Sequence, residues 1–367
     1  MSKMIPEDEN IAVDTSYSQY RESDDDDAQS YTSAESIGSS VTRYRYENGR
    51  RYHAYREGSY YGPNDETYSN YETIVHHLWL LTLDDRLFLA PIDVGAGPER
   101  ILDVGTGTGL WAVDMADYFP NAEIIATDLS PTQTSSAPPN VRFEVDDACS
   151  EWTYPEESFD FVHIRGLTGC IKDWPYLYSQ AYRHLKPGAY IEHLEFSITT
   201  SANPDPTTNT AAEKLLTSFS TSILQAGDAQ HTGRTFRTIS LIPSNLALAG
   251  FVDITSQSFV WPIGPWPKDP KLKEIGRWGE RNWLDGFEGW VLAIYTRVFG
   301  WSYEEVMRFV GEVRKVVRDR GNLFWHEVRC VFARKPREGE VVVGREGGHD
   351  GGMAQEEEGG GEAERGV

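Results

Sequence analysis

Cysteine is scarce in this 367-residue chain: Cys149, Cys170 and Cys330 are the only three. They show no paired spacing, which excludes a disulfide framework and points to a reducing compartment. The nine histidines form no H-x-x-x-H spacing and no Cys/His cluster, so no metal site is expected. Long apolar runs are also missing. None reaches the roughly 18 residues that a membrane span needs, and the N-terminus carries no basic, apolar leader. A soluble protein of the cytoplasm or nucleus, with no membrane partner, is expected. Basic charge is in deficit, with 34 Lys and Arg against 57 Asp and Glu and a net charge of −23. Without a basic stripe the phosphate backbone would be repelled, so nucleic acid is not an expected partner. The cluster Arg43, Arg45, Arg50, Arg51 and Arg56 is too short to reverse this; it reads as a solvated face or a flap over an acidic ligand.

The acidity is concentrated at the ends. Residues 1–40 hold a net −8 and residues 337–367 a net −6, leaving −9 for the stretch between. The first segment includes Asp24 to Asp27 and many serines. The last has ten glycines and the run Glu356 to Glu358. Neither has enough apolar surface to offset the entropy of ordering, so both are expected to be disordered tails. One domain is then expected over 41–336, with a cofactor-binding core at 98–200 and an acceptor-side region at 201–336.

Within that domain a tyrosine-rich segment spans 42–72. After it, Ile74, Val75, Leu78, Trp79 and Leu81 make one helical face, read as a cover helix on a sheet. From 100 onward strand and helix patterns alternate, as in a parallel α/β sheet. Strands are expected at 100–104, 123–127, 141–145, 159–164, 189–196, 251–261 and 328–333. Helices are expected at 110–119, 174–185, 209–226, 239–249, through the tryptophan-rich 270–299, and from 303, where Ser302 and Glu305 form a capping box.

The most informative stretch is Asp103-Val-Gly-Thr-Gly-Thr-Gly109, placed between a strand and a helix. Gly105, Gly107 and Gly109 let bare backbone approach a nucleotide-like ligand at the end of a central strand. They alternate, and Leu110 stands where a dinucleotide fingerprint would have its third glycine. Asp103 is well placed to accept hydrogen bonds from a bound ammonium group. Asp128, 19 residues past Gly109 at the tip of the next strand, can accept both ribose hydroxyls or cap the following helix. Asp146 and Asp147 follow the third strand; either, with Asp147 preferred, can accept from an adenine amino group. A near-copy at Asp93-Val-Gly-Ala-Gly97 runs into Pro98 with no room for a helix and reads as a loop.

Five elements in order thus resemble the class I S-adenosylmethionine-dependent methyltransferases. Glu47 to Arg56, Asp103 to Gly109 with Trp111, Asp173 to Tyr178, His184 to Ala189 and Gly300 to Glu305 make the chain similar to the fungal LaeA-like methyltransferases, named after a regulator of secondary metabolism. The resemblance covers about 43–336. It implies a Rossmann-like α/β fold, a mostly parallel seven-stranded sheet with helices on both faces and a helical C-terminal insertion. It implies that Asp103, Gly105, Gly107 and Gly109 hold the methionine part of S-adenosylmethionine, Asp128 its ribose, and Asp147 with Asp146 its adenine. Acids suit a sulfonium cation with an ammonium group. The acceptor, a small molecule or a protein, is not identified, and no catalytic residue is general to the pattern.

Arg165, His193 and Glu195 at strand tips are the candidates to face the acceptor, each weighed against a structural role. Tyr52, His53 and Tyr55 are candidates to close over the cofactor. The six tryptophans from Trp261 to Trp301 are read as core or as an acceptor pocket. Two functions compete: an enzyme of secondary metabolism, or a nuclear regulatory subunit acting through protein partners. A nicotinamide-dependent oxidoreductase is disfavoured by Leu110 and the acids at 146–147.

Overall fold

A computed structural model of the chain describes residues 11–14, 16–17 and 44–340, except 57, 59, 135, 204–209 and 229–232. Asn48-Gly49, both at positive φ, turn the hairpin of β1 (Arg45–Glu47) and β2 (Arg50–Tyr52), the turn chemistry such a two-residue loop requires. Arg50 at its exit is bonded to Asp65 (2.7 Å) and Glu288 (3.1 Å). Asp65 in turn caps the 17-residue helix α1 (Glu66–Thr82) by accepting from the Tyr68 N–H.

The core follows as β3 (Arg100–Val104), α2 (Leu110–Tyr118), β4 (Glu123–Asp128), β5 (Val141–Val145), β6 (Phe159–Arg165), α3 (Trp174–His184) and β7 (Leu185–Ala202). The second half comprises α4 (Thr210–Gly227), α5 (Thr238–Ala249), β8 (Val252–Ile263), α6 (Pro270–Arg297), α7 (Tyr303–Arg318) and β9 (Phe324–Arg334). Seven strands form one sheet in the order β5-β4-β3-β6-β7-β9-β8. Its strands from β5 through β7 are parallel, and β9 runs antiparallel to both β7 and β8. This is the mostly parallel seven-stranded sheet that the resemblance implies.

Topology places the site. Chain order reverses between β3 and β6, and a crevice opens outside the carboxyl ends of strands at such a switch point. Because β9 runs the other way, its amino end lies at that same edge. There His326 is the ladder partner of Trp261 on β8 and of Thr200 on β7.

Apolar side chains cover both faces. Trp79, Trp111, Met115 and Phe161 pack on one, and Val162, Leu177, Tyr178 and Ile242 on the other. A third cluster, with Phe219, Trp283, Phe287 and Val310, joins α4, α6 and α7 beyond the sheet. Helix α6 comes close to α1 at Gly286, where a Cβ would lie 2.5 Å from the Tyr71 ring. The capping box at Ser302 and Glu305 is formed.

Three differences from the sequence reading are informative. Strand β7 starts at Leu185 instead of 189, with a bulge between Leu185 and Tyr190 and Gly188 at φ 84°. Strand β9 begins at Phe324 instead of 328, since its extra residues pair with distant parts of β7 and β8. The expectation of an unstructured 1–40 also needs correction at residues 11–14 and 16–17. Ile11 and Tyr17 are buried, the Ile11 N–H donates to Asn203 (2.9 Å), and Lys273 donates to Asp14. The rest of 1–40, and 341–367, lie outside the described residues. Glu340 pairs with Arg334 (2.7 Å), carrying the folded chain past the expected boundary at 336.

Candidate functional site

The glycine turn leaves β3 bent over the tip of β4: the N–H groups of Gly105 and Thr106 donate to the Thr127 carbonyl (2.9 and 2.8 Å). Gly105, Gly107 and Gly109 have φ of 73°, 57° and 82°, which a side chain would strain. Gly105 is also held close, since a Cβ there would sit 2.5 Å from Leu167. Gly105 and Gly107 line a large cavity at the carboxyl edge of the sheet. Gly109 does not, contrary to its expected role. It is the N-cap residue of α2 and packs on Phe143 of β5, where a Cβ would meet the ring at 2.6 Å.

The expected acids converge on this cavity: Asp103, Asp128, Asp146 and Asp147 all line it. Asp103 is only 3% exposed. One of its oxygens accepts from His163 Nδ1 at 2.8 Å, and the other, Oδ2, has no partner among the described residues. His163 stacks on Trp111 at 3.6 Å, and burial pulls its pKa down to about 4. The neutral ring donates to Asp103 and holds it in place without cancelling its charge.

Asp128 accepts from the Gly107 and Ser130 N–H groups, each at 2.9 Å. Burial, aided by the charge of Asp103, still pushes it up to about 6. Asp147 accepts from the Cys149 N–H (2.9 Å) and lies 3.5 Å from Arg56.

Sequence reasoning missed Glu72. On α1 it faces the glycine turn, so close that a Cβ on Gly107 would be 3.0 Å from its Oε1. Burial and the nearby Asp128 push its pKa up to about 8. The signal available was an acid between Tyr71 and the apolar positions 74 and 75 of a helix read only as a cover.

Of the three acceptor-facing candidates, only Arg165 lines the cavity. It donates to His76 Nδ1 (3.1 Å), and His76 Nε2 donates to Asp114 (2.8 Å). Burial lowers Arg165 to about 10. His193 and Glu195 are corrected to interior positions under α3. His193 Nδ1 accepts from the Tyr178 hydroxyl at 2.7 Å and its Nε2 faces Glu195 at 3.4 Å, while the ring stacks on Trp174. Both side chains are fully buried and neither borders the cavity.

The cover is real but its residues differ from those expected. Tyr52, His53 and Tyr55 do not line the cavity; Tyr60, Tyr61, Asn64, Tyr68 and Tyr71 do. Tyr52 instead lies beneath the Arg297 guanidinium at 4.6 Å. Among the tryptophans, Trp261, Trp283 and Trp290 line the cavity, and Trp266, Trp278 and Trp301 do not.

The cavity therefore has two ends. At one, Asp103, Asp128, Asp146 and Asp147 at the strand tips and Glu72 of α1 line it together with one guanidinium, Arg165. This field suits a cation. An unpartnered carboxylate oxygen beside bare backbone fits the ammonium group of S-adenosylmethionine, and the acids that follow fit its ribose and base. Beyond Arg165 the lining turns aromatic and aliphatic, from α4, α6 and the far ends of β7, β8 and β9.

Comparison with known proteins identifies the family. A family model described as a methyltransferase domain matches residues 73–241. The chain is 42% identical over 276 residues to methyltransferase pytC of Aspergillus terreus, covering 75% of this chain and 83% of that one. It is 36% identical over 299 residues to a secondary metabolism regulator of Cochliobolus heterostrophus, covering 80% and 95%. It is 29% identical over 307 residues to a protein-methionine methyltransferase of Emericella nidulans, covering 82% and 79%.

Proposed function

The chain belongs to the LaeA-like S-adenosylmethionine-dependent methyltransferases, and we propose that its cavity joins cofactor and a small-molecule acceptor of secondary metabolism in one continuous space. The cofactor supplies an activated methyl group on a sulfonium leaving group. Asp103, with the backbone of Gly105 and Gly107, holds the methionine part. Asp128 accepts from the ribose, and Asp147 with Asp146 accepts from the adenine. Glu72 adds a carboxyl group over the glycine turn. Gly109 contributes indirectly by seating α2.

The protein's work is then alignment and exclusion of water, which can supply much of the rate of a displacement between bound partners. Arg165, held by His76 and Asp114, stands where the two ends of the cavity meet and orients what lies there. The observation that carries this reading is continuity: acids at the strand tips and an aromatic chamber line the same cavity, roofed by α1 and α6.

The test is metabolite profiling of a deletion strain complemented with wild type or with Asp103→Ala. Loss of one methylated compound, restored by wild type and not by the variant, is the expected result. Broad changes across many pathways, restored by both, would replace it with the second reading: a regulatory subunit of the nucleus acting through protein partners. Kinship with proteins named as regulators favours that alternative, and the strongly acidic ends of the chain are compatible with it.

A further inference from the structure

At the end of the cavity away from the glycine turn, Asn282 and Trp283 of α6 and His326 of β9 come together with Trp261. The His326 ring centroid lies 5.7 Å from that of Trp261 and 6.2 Å from that of Trp283. Asn282, Trp283 and His326 are each at most 4% exposed. Each nevertheless has a polar atom without a partner among the described residues: Asn282 Oδ1, Trp283 Nε1 and His326 Nε2. Buried polar groups are ordinarily satisfied, and leaving one unmet is costly. Three of them converging on the lining of one chamber therefore point to a ligand.

The tautomer of His326 is set by its other nitrogen. Nδ1 lies 3.2 Å from the Ser197 carbonyl, which can only accept, so Nδ1 carries the proton and Nε2 presents a lone pair. Burial keeps the ring neutral, with a pKa lowered to about 4. The other walls here are apolar or aromatic, including Ile198, Phe219 and Ile223. Among the described residues, the charged side chains that line the cavity are Glu72 of α1 and Asp103, Asp128, Asp146, Asp147 and Arg165 at the tips of β3 to β6; none belongs to α4, α6, β8 or β9.

We propose that this chamber is the acceptor subsite, and that the acceptor is an uncharged, planar, largely apolar molecule whose O–H or N–H group donates to His326 Nε2. Asn282 Oδ1 offers a second acceptor and Trp283 Nε1 a donor, so the molecule is held by hydrogen bonds between aromatic walls. The inference rests on the methyltransferase reading of the cavity and narrows its acceptor. An anionic or cationic acceptor would lose its hydration here with no counter-charge in return. A methionine side chain has no hydrogen to donate to the imidazole and no plane to stack.

The experiment uses the full chain and three probes: 2-naphthol, its methyl ether, and 2-naphthoate. Tryptophan fluorescence and calorimetry at pH 7 follow their binding, in the presence of S-adenosylmethionine. Naphthol is expected to bind at least tenfold tighter than either the ether, which has no hydrogen to donate, or the anion. His326→Phe should remove the preference for naphthol over the ether, and His326→Gln, whose amide oxygen still accepts, should keep part of it. Each variant's retained S-adenosylmethionine affinity reports that it is folded.

Equal binding of naphthol and ether to the wild type, or a preference that survives His326→Phe, overturns the proposal. So does tighter binding of naphthoate, or of a methionine-containing peptide added as a fourth probe. Should His326→Phe fail to fold, Asn282→Leu takes its place, with an expected loss of at least threefold in naphthol affinity and overturning if there is none. Failure of the wild type to bind S-adenosylmethionine would instead overturn the methyltransferase reading itself.

Discussion

The two ends of the cavity are built in opposite ways. At the strand-tip end Asp103 and Asp128 lie at the carboxyl ends of β3 and β4 and Asp147 just past β5, so the three succeed one another along neighbouring parallel strands. In the aromatic chamber Phe196, Phe219, Trp261, Trp283 and His326 come from β7, α4, β8, α6 and β9, spread over 130 residues. The first end is acidic and backbone-rich and offers a charged ligand its hydrogen bonds directly. The second is apolar, closed by helices, and specific through a few polar atoms. The first can be built from a compact local motif, whereas the aromatic chamber is assembled by long-range packing.

Three perturbations bear on that contrast, the largest first. Asp103→Ala removes a carboxylate whose Oδ2 is unpartnered among the described residues and leaves His163 without its acceptor. S-adenosylmethionine affinity should fall about 10- to 100-fold, as expected for losing charge-assisted hydrogen bonds worth roughly 1.5–3 kcal/mol. Calorimetry measures the loss, and naphthol binding in the chamber should change less than twofold. A comparable loss at both ends would mean that they are not separable.

Gly286→Val acts on the other end. Its side chain would press on the Tyr71 ring and push α6 from α1, at an expected cost of about 1–3 kcal/mol in stability by chemical denaturation. Naphthol binding should weaken severalfold, while cofactor affinity in the folded fraction stays within about twofold.

The smallest effect concerns Glu72. Its carboxyl is raised to about 8 in the fold from an ordinary 4.5, so the folded state keeps a proton that the unfolded chain releases. The stability associated with that proton is complete below about 4.5 and is lost as pH rises through about 8. Glu72→Gln should therefore be more stable than the wild type without ligand, by a margin that grows by about 1 kcal/mol or more between pH 6 and pH 8. Saturating S-adenosylmethionine should shrink that margin by placing a cation beside the carboxylate. A margin unchanged by the cofactor would remove Glu72 from the cofactor end.

How much could be read beforehand follows the same division. The core strands and helices were legible because apolar periodicity, turn glycines and caps are local signals. Misplaced ends occurred where pairing is long-range, at β7 and β9. Asp103, Asp128 and Asp147 could be expected at one place because successive parallel strands end at the same edge of the sheet, and all three line the cavity there. His193 and Glu195 take the structural alternative, because the face of β7 they share is buried and does not meet the cavity. His193 points to α3 and the Tyr178 hydroxyl, while His163, two residues before Arg165, supports Asp103. Tyr52, His53 and Tyr55 belonged to the correct covering segment, but the hairpin turn carried them past the cavity and brought Tyr60 and Tyr61 over it.

The sequence alone determined the alternating α/β order, the glycine turn with its acids at successive strand tips, and hence the methyltransferase family and its cofactor. Each of these depends on residues near one another in the chain. Only the tertiary structure decided that Glu72 faces the glycine turn, that Gly109 packs on Phe143, and that His326 enters an aromatic chamber. These depend on where α1 docks and on the antiparallel course of β9, which returns a distant segment to the edge where the parallel strands end.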